Sequence, residues 1–155
     1  MIMNASAVDT NVQDRIAAMI SVYGKSGAVP ARSQWEALMS LPADAPVTLL
    51  NFFKLRREAH YADGSGVSPC SGQEAFSRYA AVSAPGLEKV GGRFLLLAPF
   101  GMAFVGEDED WDFVAAGSYP DRNAVLALFE DRDYRKAYVH RVAACERQKV
   151  LLCLA

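Results

Sequence analysis

The chain predicts an α+β fold in the order strand, helix, strand, strand, helix, strand, behind a helical N-terminal extension. Three observations carry this. Apolar and aromatic runs of strand length recur four times. Stretches with helical periodicity separate the first run from the second and the third from the fourth. Proline and glycine clusters punctuate the joins. That order is the split βαβ plan of ferredoxin-like folds, with a four-stranded antiparallel sheet.

Residues 1–46 read as the extension. Val12, Ile16, Met19, Ile20 and Tyr23 keep a helical stripe after Asp9 or Thr10, both good cap residues. Ser33 and Glu36 form a capping box ahead of Trp35, Leu38 and Met39, and Pro42 stops that helix. The PADAP stretch then resets the chain, and residues 47–155 read as the ferredoxin-like domain. VTLLNFFKL is its first strand. QEAFSRYAAVSAPGLEKV is a helix with Phe76, Tyr79, Ala80, Ser83, Leu87 and Val90 on one face, kinked at Pro85 and ended by Gly91-Gly92. RFLLLAPF and WDFVAAGSY are the second and third strands. Asp121 caps a short helix holding Val125, Leu126 and Phe129, Asp131 caps the next, and KVLLCLA closes as the fourth strand. Three strands place apolar residues side by side (Phe52-Phe53, Leu95 to Leu97, Leu151-Leu152), so both sheet faces are apolar. A second subunit or the N-terminal helices must cover the face that the domain's own helices leave.

Bulk properties narrow the class. The chain has 155 residues, 52% hydrophobic and 22% charged, which suits one globular domain. A net charge of −2 gives no global basic field for nucleic acid or anionic lipid. No apolar run approaches the roughly 20 residues of a membrane helix. MIMNASAVDTNVQDR lacks a basic leader with an apolar core. Cys70, Cys145 and Cys153 lack a paired framework, pointing to reduced thiols and a cytoplasmic protein of bacterial type.

From Val47 onward the pieces NFFKL, YADG, SGQEAFSRY, GGRFLLLA, WDFVAAGSYPDR and DYRKAYVHRVAA, in this order, resemble the bacterial domain of unknown function 1330, in the dimeric α+β barrel superfamily. The resemblance implies a homodimer through the sheets, with a small cavity between sheet and helices. It implies kinship with small isomerases, cofactor-independent monooxygenases and haem-degrading enzymes. It also places Asn51, Lys54, Trp111, Tyr119, His140 and Arg141 where similar sequences carry the same residue types.

The residues themselves point first to YRKAYVHRVAAC. At about 100° per residue, Tyr134, Tyr138, Val142 and Cys145 share a face and Arg141 falls within it, while His140 turns outward with Lys136 and Arg147. A buried guanidinium needs an anion. That anion is either a protein carboxylate, Asp112 or Glu88, or a ligand carboxylate or enolate held bidentately. Tyr134, Tyr138 and Tyr79 would surround it in an apolar pocket. His140 is either solvated or, if brought in, a general base. Asn51 and Lys54 lie on opposite faces of the first strand, Asn51 positioned to orient a carbonyl or a water and Lys54 to reach solvent at the strand end. Trp111 is core, dimer interface or pocket wall. Tyr61, in the long loop RREAHYADGSGVSPCSG, belongs either to a lid or to a surface excursion.

Other signals fail. YGKSG has Met19 where a phosphate loop needs glycine, and follows a helix. His60 and His140 make no zinc pair, and no metal is expected. GEDED lacks calcium-loop spacing, and no dinucleotide fingerprint opens a helix. Asn51, Trp111 and His140 echo the residue types of the haem-degrading relatives, but the 29-residue Trp-to-His separation does not fit. No cofactor is expected.

The leading reading is a homodimeric small-molecule-binding protein whose small anionic or carbonyl-bearing ligand is anchored by Arg141. Cofactor-independent, isomerase-like proton transfer would use His140 or a tyrosine such as Tyr79. The alternative is a non-catalytic module with a filled pocket and a structural Arg141 ion pair. RNA binding is opposed by the acidic composition and the lack of base-stacking spacing in WDFVAAGSY.

Overall fold

The computed structural model describes residues 5–154; residues 1–4, the start of the extension, and residue 155 lie outside them. The order is α1 (Ala5–Tyr23), α2 (Arg32–Met39), β1 (Val47–Leu55), α3 (Gly72–Lys89), β2 (Arg93–Pro99), β3 (Phe113–Tyr119), α4 (Arg122–Glu130), α5 (Arg132–Ala144) and β4 (Cys145–Leu154). The sheet order is β2-β3-β1-β4, with every neighbouring pair antiparallel. This is the ferredoxin-like arrangement that the sequence predicts.

Local chemistry sets the boundaries. Ser71 and Glu74 cap α3 reciprocally, each bonding the other's backbone N–H at 3.0 Å. Asp121 accepts from Ala124 N at 2.9 Å, and Asp131 from Asp133 N and Tyr134 N at 2.9 and 3.0 Å, so both aspartates cap as expected. Helix α3 runs through Pro85. It ends where Gly91 takes φ +84°, while at Gly92 a Cβ would lie 2.3 Å from Leu87 Cδ1. Two expectations fail at the N-terminus. Asp9 and Thr10 lie inside α1 rather than at its cap, because the helix starts upstream. Helix α2 starts one residue ahead of Ser33, with Ala31 at the cap and its N–H bonded to Gln34 Oε1 at 2.8 Å.

Strand alternation sorts the sheet faces. Val47, Leu49, Asn51 and Phe53 face the helices, together with their register partners on β3 (Tyr119, Gly117, Ala115, Phe113) and β4 (Leu154, Leu152, Val150, Gln148). Helices α3 and α5 pack over this inner face. The extension joins the same hydrophobic cluster through Ile16, Met19, Trp35 and Leu38. Trp35 meets Phe129 edge-on at 5.0 Å, and Tyr23 OH donates to Phe129 O at 2.6 Å. Arg122 donates to the carbonyls of Met39 and Leu41. The N-terminal helices therefore sit against α4 and α5 and leave the outer face uncovered. Leu96 and Leu151 stand exposed there. No helix among the described residues is long and apolar enough to cross a membrane.

Candidate functional site

Helix α5 presents Tyr134, Ala137, Tyr138 and Arg141 to the interior, as its spacing requires. Val142, expected on that face, is 38% exposed instead; it lies about 100° round the wheel from Arg141. Arg141 is 5% exposed. Its guanidinium carbon sits 4.8 Å from the Phe53 ring centroid, 5.3 Å from Tyr138 and 5.4 Å from Tyr79, so three aromatic rings take much of the place of solvent.

Its polar partners are all neutral. Nε donates to Gln148 Oε1 at 2.7 Å, Nη1 to Tyr79 OH at 3.0 Å and Nη2 to Asn51 Oδ1 at 3.4 Å. Asn51 is oriented by the sheet: its Nδ2 donates to Leu49 O at 3.3 Å and Ala115 O at 3.2 Å, which turns its oxygen towards Arg141. No ion pair among the described residues involves Arg141. The two carboxylates proposed for it are placed elsewhere. Asp112 accepts from Leu55 N at 2.6 Å and pairs with Lys54, while Glu88 is exposed on α3. Nor do the neighbouring phenols supply a charge: burial pushes Tyr134, Tyr138 and Tyr119 up, which keeps them protonated at neutral pH. A guanidinium carries five N–H donors, and three are engaged. No described residue accepts from the remaining two.

A cavity of about 690 Å³ opens beside this group, in the size range of small-molecule sites. Its floor is the inner sheet face around Asn51 and Ala115, and α3 and α5 form two walls. Residues of the extension, from Gly27 to Leu41, form another wall. The Tyr138 hydroxyl donates to Ala28 O at 2.7 Å and ties that wall to α5. Tyr79 OH and Tyr134 OH lie 2.8 Å apart. One hydrogen bond between two phenols uses one of their two hydrogens, so the other is available to a ligand. The described lining contains no carboxylate, imidazole or thiol.

Of the residues singled out from sequence, the fold brings together Arg141, Asn51, Tyr79, Tyr134 and Tyr138, all lining the cavity. Four others are elsewhere. Lys54 pairs with Asp110 at 3.0 Å and Asp112 at 3.5 Å at the strand end. Trp111 packs on Phe52 on the outer side, with Arg147 4.8 Å over its ring and its Nε1 donating to Glu109 at 2.7 Å. Tyr61 OH meets His140 Nδ1 at 2.7 Å on the outer side of α5. The Tyr61 loop is pinned to the end of that helix, Arg56 N donating to Ala144 O and His60 N to Ala143 O at 2.7 and 2.9 Å. It is therefore a clamp on α5 and not a lid on the cavity. Sequence reasoning missed Gln148 altogether and reached Tyr119 only through the family resemblance, with no role attached. Counting alternate residues back from Val150 finds Gln148, and forward from Ala115 finds Tyr119, once the inner face is known.

Known proteins share this architecture. A family model described as a domain of unknown function (DUF1330) matches residues 69–153. The crystal structure of the RPA0582 protein of Rhodopseudomonas palustris, a protein of unknown function, is similar at 28% identity and TM-score 0.74, covering 84% of this chain and 98% of that one. The methylated RPA0582 protein is similar at 29% identity and TM-score 0.75, covering 84% and 95%. SnoaB, a cofactor-independent oxygenase from Streptomyces nogalater, is similar at 20% identity over 73% of this chain and 94% of that one, with a TM-score of 0.42 that carries no functional argument. No curated protein matches.

Proposed function

Because the chain belongs to the DUF1330 family, whose description assigns no activity, function rests on the pocket, and we propose that this is a small-molecule-binding protein whose ligand is anionic or carbonyl-bearing and anchored by Arg141. One observation carries the reading: a guanidinium 5% exposed, bonded only to neutral groups, beside a cavity of ligand size. Holding a cation out of water costs several kcal/mol unless an anion pairs with it, and none does so among the described residues. A bound carboxylate completes the arrangement.

The same geometry favours binding over proton abstraction. His140, the base expected from sequence, faces Tyr61, and no carboxylate or imidazole lines the cavity among the described residues. The Tyr79–Tyr134 pair is suited to donating a hydrogen bond to a developing oxyanion rather than to removing a proton. The exposed apolar outer sheet face, with Leu96 and Leu151, supports a homodimer through the sheet.

Thermal unfolding with a panel of short and medium carboxylates tests the assignment. Carboxylates raise the wild-type Tm in proportion to the logarithm of their concentration, and Arg141→Met abolishes the shift. An equal shift in the variant sinks the reading.

A further inference from the structure

The chain has six tyrosines. Five have bonded hydroxyls: Tyr23 to Phe129 O, Tyr61 to His140, Tyr79 to Tyr134, and Tyr138 to Ala28 O. Tyr119, the last residue of β3, is the exception. It is 7% exposed, and its hydroxyl makes no hydrogen bond to any described residue. The hydroxyl is not sealed from water, since the buried side-chain atoms without a partner among the described residues are Arg56 Nε and Arg122 Nε; it is left by the fold to whatever occupies the adjoining space. Tyr119 lines the cavity that Arg141 adjoins.

Its position follows from Gly117. A Cβ on Gly117 would stand 3.6 Å from Tyr119 Cε2 and 3.9 Å from its hydroxyl, so the ring leans back along β3 over the space that the glycine leaves. Gly117 is opposite Leu49, and Ala115, two residues on, is opposite Asn51, which Arg141 Nη2 reaches. Two residues of strand span about 7 Å. The cavity thus carries two polar points a few bonds apart, a charged one at Arg141 and a neutral one at Tyr119. Burial pushes the Tyr119 phenol up and keeps its proton in place, so at neutral pH it offers a donor. No second cation stands free for a dianion: Lys149, the other cationic residue of the lining, is engaged by Glu109 at 3.5 Å.

We propose that Tyr119 is a specificity-determining contact and that the ligand is an oxo- or hydroxy-carboxylate, a monoanion whose carboxylate meets Arg141 while a second, uncharged oxygen several bonds away meets the Tyr119 hydroxyl. This rests on the Arg141 reading above. A site that presents a hydroxyl with no partner in the fold favours the ligand that bonds it over the analogue that cannot.

The test is calorimetric titration of decanoate and its 4-, 5- and 6-oxo derivatives into wild type, Tyr119→Phe and Arg141→Met. At least one oxo acid binds wild type about tenfold or more tighter than decanoate. Tyr119→Phe removes that advantage and leaves decanoate unchanged, while Arg141→Met weakens all four. If the oxo-to-plain ratio is the same in Tyr119→Phe as in wild type, or no oxo acid exceeds decanoate, the Tyr119 inference is wrong and the anion anchor stands. If Arg141→Met binds all four as wild type does, or wild type binds none, the anchor itself falls and takes the inference with it. Ligand-free Tyr119→Phe melts at or above the wild-type temperature, since it loses only an unbonded hydroxyl. A clear fall in its Tm means the hydroxyl is bonded within the fold and overturns the proposal.

Discussion

Replacing Arg141 by methionine separates a guanidinium held for the fold from one held for a ligand. A carboxylate facing it would be stranded by the change, at about 3–5 kcal/mol. The partners are instead two amide oxygens and a phenol. Hydrogen bonds from a charged donor contribute about 1.5–3 kcal/mol each. The bond to Asn51, at 3.4 Å, is at the long end, and the desolvation of the ion opposes all three. Methionine roughly keeps the volume of the aliphatic stem while giving up the guanidinium's place over the Phe53 and Tyr138 rings. The oxygens left behind face a cavity with room for water. The two sides nearly cancel, and the expected change lies within about 1 kcal/mol of zero. Urea unfolding of ligand-free protein at pH 7 and fixed concentration reads it as the shift in midpoint at constant slope. A loss of about 3 kcal/mol or more refutes the reasoning and makes Arg141 a structural residue.

Two further outcomes concern contacts away from the cavity. Burial and the nearby Arg78 hold His140 below its ordinary 6.5, so the folded protein binds fewer protons there than the unfolded chain. The stability this gives is fully present above about pH 6.5 and is lost as pH falls towards the folded value. Denaturation midpoints of wild type therefore drop more between pH 7.5 and 5 than those of His140→Gln, and equal drops contradict the account. Gly92→Ala puts a Cβ 2.3 Å from Leu87 Cδ1 and 2.7 Å from the Ser118 carbonyl, a backbone atom that β3 holds in place. The overpacking costs about 1–3 kcal/mol by the same unfolding assay; an unchanged midpoint shows that the helix-to-strand turn yields freely.

Where the sequence was legible, a single element contained the whole signal. VTLLNFFKL and the caps at Asp121 and Asp131 announce their elements without outside help, and the i, i+4, i+7 spacing of Tyr134, Tyr138 and Arg141 needs only one helix. Legibility fails where placement depends on a second element. The helical wheel carries Cys145 and Arg147 and the predicted strand begins only at Lys149, yet CERQK is the start of β4, and pairing with β1 sets Gln148 opposite Phe53 on the inner face. Lys54, Trp111, Tyr61 and His140 have plausible chemistry, but sheet register and loop anchoring decide that each meets a protein partner away from the cavity. In the strand pattern Tyr119 passes as one more apolar residue, because a hydroxyl with no bonding partner in the fold is visible only when every neighbour is in place. Nor does any local rule say whether the extension covers the outer face or walls the cavity.

The join between α5 and β4 has no linker: Ala144 ends the helix and Cys145 begins the strand. Arg141 and Gln148 are thus carried by two stiff rods welded end to end, one packed on the sheet and the other hydrogen-bonded into it. The charged end of the cavity is therefore preset, and a ligand of the proposed kind would lose little ordering entropy there on binding. The opposite wall hangs on the turn between α1 and α2, with Tyr138 bonded to Ala28. Accommodation falls on that side. On the proposed reading, the head group would meet a fixed demand and the tail the more adaptable wall.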